Sequence, residues 1–163
     1  PATKHSATAN IFSMTAKDAL GQITDLASKE QRLVFAWSTH EKTEIKRLGV
    51  EHEPIVENAI LVAIDWQKRF HSDAEFSKEP RGRRNRLANY RNLIEYNVPS
   101  IFDRGHVAHR IRAIREQLTN RRCYDALTGA KKRHWTKLLQ HNWYDCDGMR
   151  EVVMRAAADL ESQ

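Results

Sequence analysis

A stretch near the carboxyl end of the chain combines residue types that could carry out hydrolytic chemistry. The segment LLQHNWYDCDGMREVV (residues 138–153) has helical periodicity and contains His141 and Asp145. Residues four apart on a helix lie on one face. There, a carboxylate can bind a divalent cation while an imidazole accepts a proton from the attacking water. The spacing is compatible with metal-dependent phosphodiester hydrolysis, but on its own it favours a surface pair or an Asp145–arginine ion pair.

The same segment contains residues that weaken a helix. Asn142, Asp145, Asp147 and Gly148 fall within seven positions, and each such residue costs up to about 1 kcal/mol relative to alanine inside a helix. We interpret this face of the helix as the wall of a site.

The amino-terminal half predicts alternating helices and strands. Thr15 and Asp18 form a capping-box pattern, which predicts a helix over residues 15–29. The apolar segment 32–38 predicts a buried strand. A helix from Thr39 to about Leu48 should follow and end at Gly49.

The apolar run 58–65 is compatible with a second strand or with the start of a helix that reaches Phe70. Beyond it, the polar segment 72–85 predicts a loop between the halves of one domain that covers residues 1–163. Three helical patterns follow, a short one at about 87–94, one at about 107–118 and a long one at about 130–161. This order predicts an α/β fold with a mostly helical carboxyl half, in which strand 32–38 is central and the helix at about 130–160 packs across it. The competing fold is an all-helical bundle.

Charge is distributed unevenly along the chain. Residues 1–80 contain 10 Lys/Arg and 12 Asp/Glu, whereas residues 81–163 contain 17 and 9. A basic half with interspersed aromatic residues suits a phosphate backbone, so we expect nucleic acid, DNA or RNA, as the partner. An acidic protein partner is the alternative. The expected phosphate contacts are Arg81, Arg83, Arg84, Arg110, Arg112, Lys131 and Lys132.

Other features narrow the class of protein. The sequence has no apolar run of the roughly 18–20 residues that a membrane span needs, and its first residues lack the apolar core of a signal peptide. Its two cysteines indicate a reducing compartment rather than a disulfide scaffold. We expect a cytoplasmic protein with no small-molecule cofactor.

Several motifs resemble those of the ribonuclease H-like DEDD exonuclease superfamily. HNWYDCDGM (141–149) resembles its third motif, in which a Tyr or His precedes a helical Asp. LVFAWSTHEKTEIKRL (33–48) is similar to a strand, an aromatic turn and a helix that begins with Glu. AIDWQKRF (63–70) and NRLANYRNLI (85–94) resemble the elements that follow, so the matches span residues 31–158 in the family's order.

The resemblance implies a ribonuclease H-like fold and exonuclease-type hydrolysis with two Mg²⁺ or Mn²⁺ ions. It makes Asp145 and Glu41 metal ligands and Asp65 a further acidic candidate. His141 would position or deprotonate water. The family's opening Asp-x-Glu strand has no counterpart before Glu41. We therefore expect either an amino-truncated portion of a nuclease domain or a divergent member, with little or no hydrolysis by this chain alone.

Two weaker patterns complete the set of candidates. His106 and His109 lie three residues apart near Asp103, a spacing that can bind zinc, although surface histidines are the simpler interpretation. The four tryptophans are expected in the core, with one of them available to stack on a base.

Overall fold

The computed structural model describes residues 15–49, 56–102, 107–121 and 123–162. Of these residues, 74% are helical and 4% lie in strands. The elements are α1 (Ala16–Lys29), β1 (Val34–Ala36), α2 (Thr39–Arg47), β2 (Val56–Asn58), α3 (Ala59–Phe70), α4 (Arg81–Arg84), α5 (Leu87–Leu93), α6 (Val107–Arg121) and α7 (Gly129–Glu161). Short 3₁₀ turns occur at Glu75–Lys78 and Ser100–Phe102.

The predicted α/β fold of the ribonuclease H type is wrong. Within the described ranges, β-structure is confined to one parallel pair, in which Val34 faces Val56 and Ala36 faces Asn58. Segment 32–38 does contain a strand, but two strands of three residues have no central position and cannot form a sheet layer. The fold is mostly helical, and most of the buried apolar residues among those described lie on helix faces.

The apolar run 58–65 illustrates why helix formation prevails. Asn58 ends β2, and its side chain accepts a hydrogen bond from the backbone N of Ile60 at 3.2 Å, which caps α3. Ala59, Ala63 and Trp66 are then buried at helical spacing. The helical alternative for this segment is therefore the correct one.

Capping residues explain where the first helices begin. Thr15 and Asp18 form the expected capping box of α1. The cap of α2 is Ser38 rather than the expected Thr39, and its partner in a second capping box is Glu41. Gly49 ends this segment with φ +66°, a conformation that favours glycine.

The remaining predictions from residue 72 onward have mixed outcomes. The expected loop 72–85 contains the first 3₁₀ turn and the four-residue α4, so it is more ordered than predicted. Helices α5, α6 and α7 confirm the three helical patterns to within a few residues.

The long helix α7 organises the core. Its 33 residues make a rod of about 50 Å. The rod packs mainly against α3, α5 and α6, whereas β1 packs mainly against β2, α2 and α3. The expected packing of the last helix across the strand is thus replaced by helix–helix contacts. No helix among the described residues combines the length and the apolarity needed to cross a membrane.

The main apolar cluster lies on the carboxyl-terminal half of α7 (residues 141–161). Its buried members are Ala63, Trp66, Tyr90, Val152 and Ala156. The Trp66 indole also donates a hydrogen bond from Nε1 to Asp159 Oδ2 at 2.8 Å, and this hydrogen bond lowers the pKa of Asp159. Helices α3 and α5 are thereby fixed to this half of α7.

Candidate functional site

The predicted imidazole–carboxylate pair forms on α7. His141 Nε2 lies 3.2 Å from Asp145 Oδ2, as the four-residue spacing predicts. The other carboxylate oxygen, Oδ1, accepts a hydrogen bond from Arg91 Nη1 at 2.7 Å, and the Arg91 side chain is only 7% exposed. Both oxygens of Asp145 therefore already have partners, one of them a buried cation.

The second nitrogen of His141 is also occupied. Its Nδ1 contacts the carbonyl oxygen of Phe102. An imidazole that faces oxygen acceptors from both nitrogens donates to both only when it carries two protons, and that form has no lone pair with which to accept a proton from water. The geometry suits an anchor between α7 and the 3₁₀ turn at Ser100–Phe102.

The helix-weakening residues after Asp145 hold the same neighbouring segment. Tyr96 donates its hydroxyl proton to Asp147 Oδ2 at 2.7 Å, and burial together with this hydrogen bond raises the pKa of Tyr96. A Cβ atom on Gly148 would lie 2.5 Å from Cδ of Arg91. Asp145, Asp147 and Gly148 thus form one docking face for residues 91–96, which explains their presence inside a helix.

The other expected metal ligands are also engaged locally. Glu41 Oε2 accepts hydrogen bonds from the Ser38 hydroxyl at 2.5 Å and from the Ser38 backbone N at 3.2 Å. Asp65 forms an exposed ion pair with Arg69, one turn away on α3, at 3.1 Å. Each carboxylate thus has a hydrogen-bond or ion-pair partner three or four residues away in the sequence.

These contacts bear on whether Mg²⁺ or Mn²⁺ fits. Such ions need several oxygen ligands that converge. Across residues 15–49, 56–102, 107–121 and 123–162, no group of three His, Cys, Asp or Glu side chains could hold a metal ion. In addition, the Asp145 carboxylate is already paired with the Arg91 guanidinium, which would compete with a metal ion. The side chains present do not fit the expected metal pair.

For zinc, Asp103 and His106 lie outside the described residues. His109 is exposed on α6, with its ring 5.9 Å from the ring of His134. Burial, followed by the charges of neighbouring Lys131, His109, Arg110 and Lys137, lowers the pKa of His134. The surroundings of His134 are therefore electropositive.

The expected phosphate contacts divide into free and engaged side chains. The side chains of Arg81, Arg83 and Arg112 are exposed and, within the described part of the chain, form no hydrogen bond or salt bridge. By contrast, Arg110 is 5% exposed and donates from Nη2 to the Ile101 carbonyl at 2.9 Å. Because Arg110 is buried and bound to Ile101, it attaches α6 to the 3₁₀ turn at Ser100–Phe102 and is poorly placed to contact a ligand.

The remaining three are partly accessible. Arg84 is half-buried and donates to the Ser77 carbonyl at 3.3 Å. Lys132 donates to the Asp125 carbonyl at 3.0 Å and lies 5.2 Å from the centroid of the Tyr124 ring. Lys131 is half-buried beside the electropositive surroundings of His134.

Sequence reasoning missed some residues of this surface. Arg86, Arg115 and Arg133 are also exposed. The basic runs that contain them were the feature of the sequence that could have identified them. Trp143 was expected in the core but is 58% exposed, whereas Trp66 is buried. The polar residues around Trp143 in the sequence could have indicated that this tryptophan is exposed.

Comparison with known proteins gives this chain no family. No family model, curated protein or solved structure matches it significantly. The site is therefore interpreted from its own contacts.

Proposed function

We propose that this chain binds nucleic acid through a set of exposed arginines, together called the basic surface. They lie on α4, on the segment between α4 and α5, on α6 and at the start of α7. Its members are Arg81, Arg83, Arg86, Arg112, Arg115 and Arg133. The observation that carries the proposal is that these guanidinium groups are exposed and form no ion pair with a described carboxylate.

Elsewhere in the molecule, exposed arginines do have acidic partners. Arg47 pairs with Glu44 at 2.8 Å, and Arg69 pairs with Asp65 at 3.1 Å. The contrast supports a role in which the basic surface is neutralised by a ligand. Phosphates suit it, because guanidinium groups bind them with two parallel hydrogen bonds.

The electropositive surroundings of His134 support the same proposal. Four cationic or ionisable groups from α6 and α7 act on this imidazole and disfavour its protonation. An anionic backbone that lies across α6 and α7 would relieve that repulsion.

Salt dependence tests the proposal. Binding of single- and double-stranded oligonucleotides is measured across a salt series. The logarithm of affinity should fall by about 0.7–0.9 per decade of salt for each phosphate contact. Arg112→Gln should weaken binding and reduce this slope by about one contact.

The matched control is Arg69→Gln, which removes the same charge from an arginine that already has a partner. It should leave the slope unchanged. Equal effects of the two substitutions, or an affinity that does not depend on salt, would contradict the proposal. Tighter binding to polyglutamate than to any strand would favour the protein-interaction alternative.

Nuclease activity stays a prediction from sequence, and the specific observation in its favour is the His141–Asp145 contact at 3.2 Å. We derive no catalytic step from it, because the side chains present do not fit the metal pair. Incubation of labelled single strands with Mg²⁺ or Mn²⁺ tests it directly, with Asp145→Asn as the comparison. Cleavage that the substitution abolishes, while circular dichroism shows that the variant is still folded, would support a catalytic role for Asp145.

A further inference from the structure

A cavity of about 550 Å³ opens beside the carboxyl-terminal half of α7, within the size range of small-ligand pockets. Three aromatic rings and three charged side chains line most of it, namely Tyr96, Trp143, Tyr144, Glu95, Glu151 and Arg155. The nuclease motif does not require it.

The aromatic wall has one free ring on a fixed base. Trp143 is 58% exposed. Its ring makes an edge contact with Tyr144 at 5.0 Å between centroids, and Tyr144 in turn stacks on Phe102 at 5.3 Å. The Tyr96 hydroxyl is bound to Asp147. The indole is therefore a supported, solvent-facing platform, as proteins use to stack single-stranded bases.

The acidic side chains limit which ligand the cavity suits. Glu151 Oε1 is bound by Arg150 at 2.6 Å, whereas the exposed Glu95 side chain has no partner among the described residues. Glu95 also adopts φ +56°, a left-handed conformation that glycine or asparagine would adopt at lower cost. A free carboxylate that only accepts hydrogen bonds is thus placed at the cavity.

We propose that this cavity binds one base of a single strand, which stacks on Trp143, and that Glu95 selects guanine. The inference rests on the proposed nucleic-acid binding and specifies its substrate class. Only guanine among the common bases presents two adjacent donors, N1–H and the 2-amino group, on its Watson–Crick edge. A carboxylate can accept both hydrogen bonds, and single-stranded recognition commonly reads that edge.

Two single-stranded probes test the inference, namely a thymidine tract and the same tract with one central guanosine. Wild-type protein should bind the second more tightly. Trp143→Ala should weaken binding of the guanosine tract about 5- to 150-fold, which corresponds to the loss of one stacked base. Trp143→Phe should retain part of it, and Glu95→Gln should remove the guanosine preference while binding of the plain tract remains.

The matched control is Met154→Ala, because Met154 is also an exposed apolar residue of α7 and does not line the cavity. It should change neither affinity. Circular dichroism should show that the variants are folded, which is expected because all three altered side chains are exposed.

The failure of this inference is distinguishable from the failure of the proposed function. If Trp143→Ala leaves both affinities unchanged while Arg112→Gln still lowers the salt slope, the base site is overturned and nucleic-acid binding stands. If guanosine monophosphate quenches tryptophan fluorescence in the wild type but not in Trp143→Ala, although no strand binds, the base site stands and strand binding falls. Quenching by tetramethylammonium but not by guanosine monophosphate would overturn the base site in favour of a cation site.

Discussion

The two halves of α7 meet their neighbours in different ways. Four polar side chains of the carboxyl-terminal half, His141, Asp145, Asp147 and Asp159, contact residues of other segments. In the amino-terminal half (residues 129–140), His134 Nδ1 and Trp135 Nε1 are buried without a hydrogen-bond partner in the described part of the chain. A buried polar group without a partner costs about 1–3 kcal/mol.

The comparison suggests a division of labour along one helix. The carboxyl-terminal half holds the core and the segment that follows α5, so its polar residues stabilise the fold. The amino-terminal half packs with α6 in electropositive surroundings, and its buried polar groups are less well satisfied. The following three predictions test this division, from the largest expected effect to the smallest.

The first prediction concerns Asp145. Asp145→Ala should lower the free energy of unfolding by about 1.5–3 kcal/mol, because it leaves the buried Arg91 guanidinium without its carboxylate. Urea denaturation measures this change. Asp65→Ala is the control, because its ion pair with Arg69 is exposed and should contribute only about 0.3–0.5 kcal/mol. Equal small losses would show that the carboxyl-terminal half does not depend on this contact.

The second prediction compares two helical glycines. Gly148→Ala should destabilise the protein by about 1 kcal/mol, because the strain of a Cβ atom 2.5 Å from Arg91 Cδ exceeds the gain in helix propensity. Gly21→Ala should instead stabilise α1 by about 0.5–1 kcal/mol, since nothing lies within 4 Å of the added atom. Stabilisation of equal size at both positions would mean that Arg91 moves aside freely.

The third prediction concerns pH and the amino-terminal half. Because the pKa of His134 is lowered in the folded protein, the unfolded chain binds this proton more readily. The corresponding stability is therefore complete above the ordinary histidine pKa of about 6.5 and decreases as pH falls below it. His134→Gln should flatten that part of the profile in urea denaturation.

A ligand sharpens this last test. A phosphate backbone beside His134 should raise its pKa, which a histidine NMR titration with and without an oligonucleotide would reveal. If the strand binds and the titration of His134 does not move, the interface lies away from the α6–α7 contact.

The sequence predicted local structure better than it predicted the fold. Capping residues and apolar periodicity located α1, α5 and α7, because those signals act over one or two helical turns. They could not decide the strand content, since an apolar run such as 58–65 suits a buried strand and a helix face equally. The cap at Asn58 and burial against α7 decide it.

The candidate site shows the same limit. The spacing of His141 and Asp145 predicted their contact, but no local pattern places Arg91, 54 residues earlier, on the same carboxylate. In the sequence, Gly148 was recognisable only as a residue that weakens a helix, and not as the position against which Arg91 packs. The four-residue spacing therefore predicted the local contact between His141 and Asp145, while the more distant partners of both side chains depend on tertiary packing.

The hydrogen bond between Trp66 and Asp159 joins residues 93 positions apart, and it also has a consequence for biosynthesis. Ribosomes add about 5–20 residues per second, so α3 and α5 leave the exit tunnel seconds before the helix that covers them. During that interval the apolar side of α3, which includes Ala63 and Trp66, is not yet packed against α7 and is exposed to solvent. Nascent chains of this protein should therefore be clients of ribosome-associated chaperones until α7 has emerged.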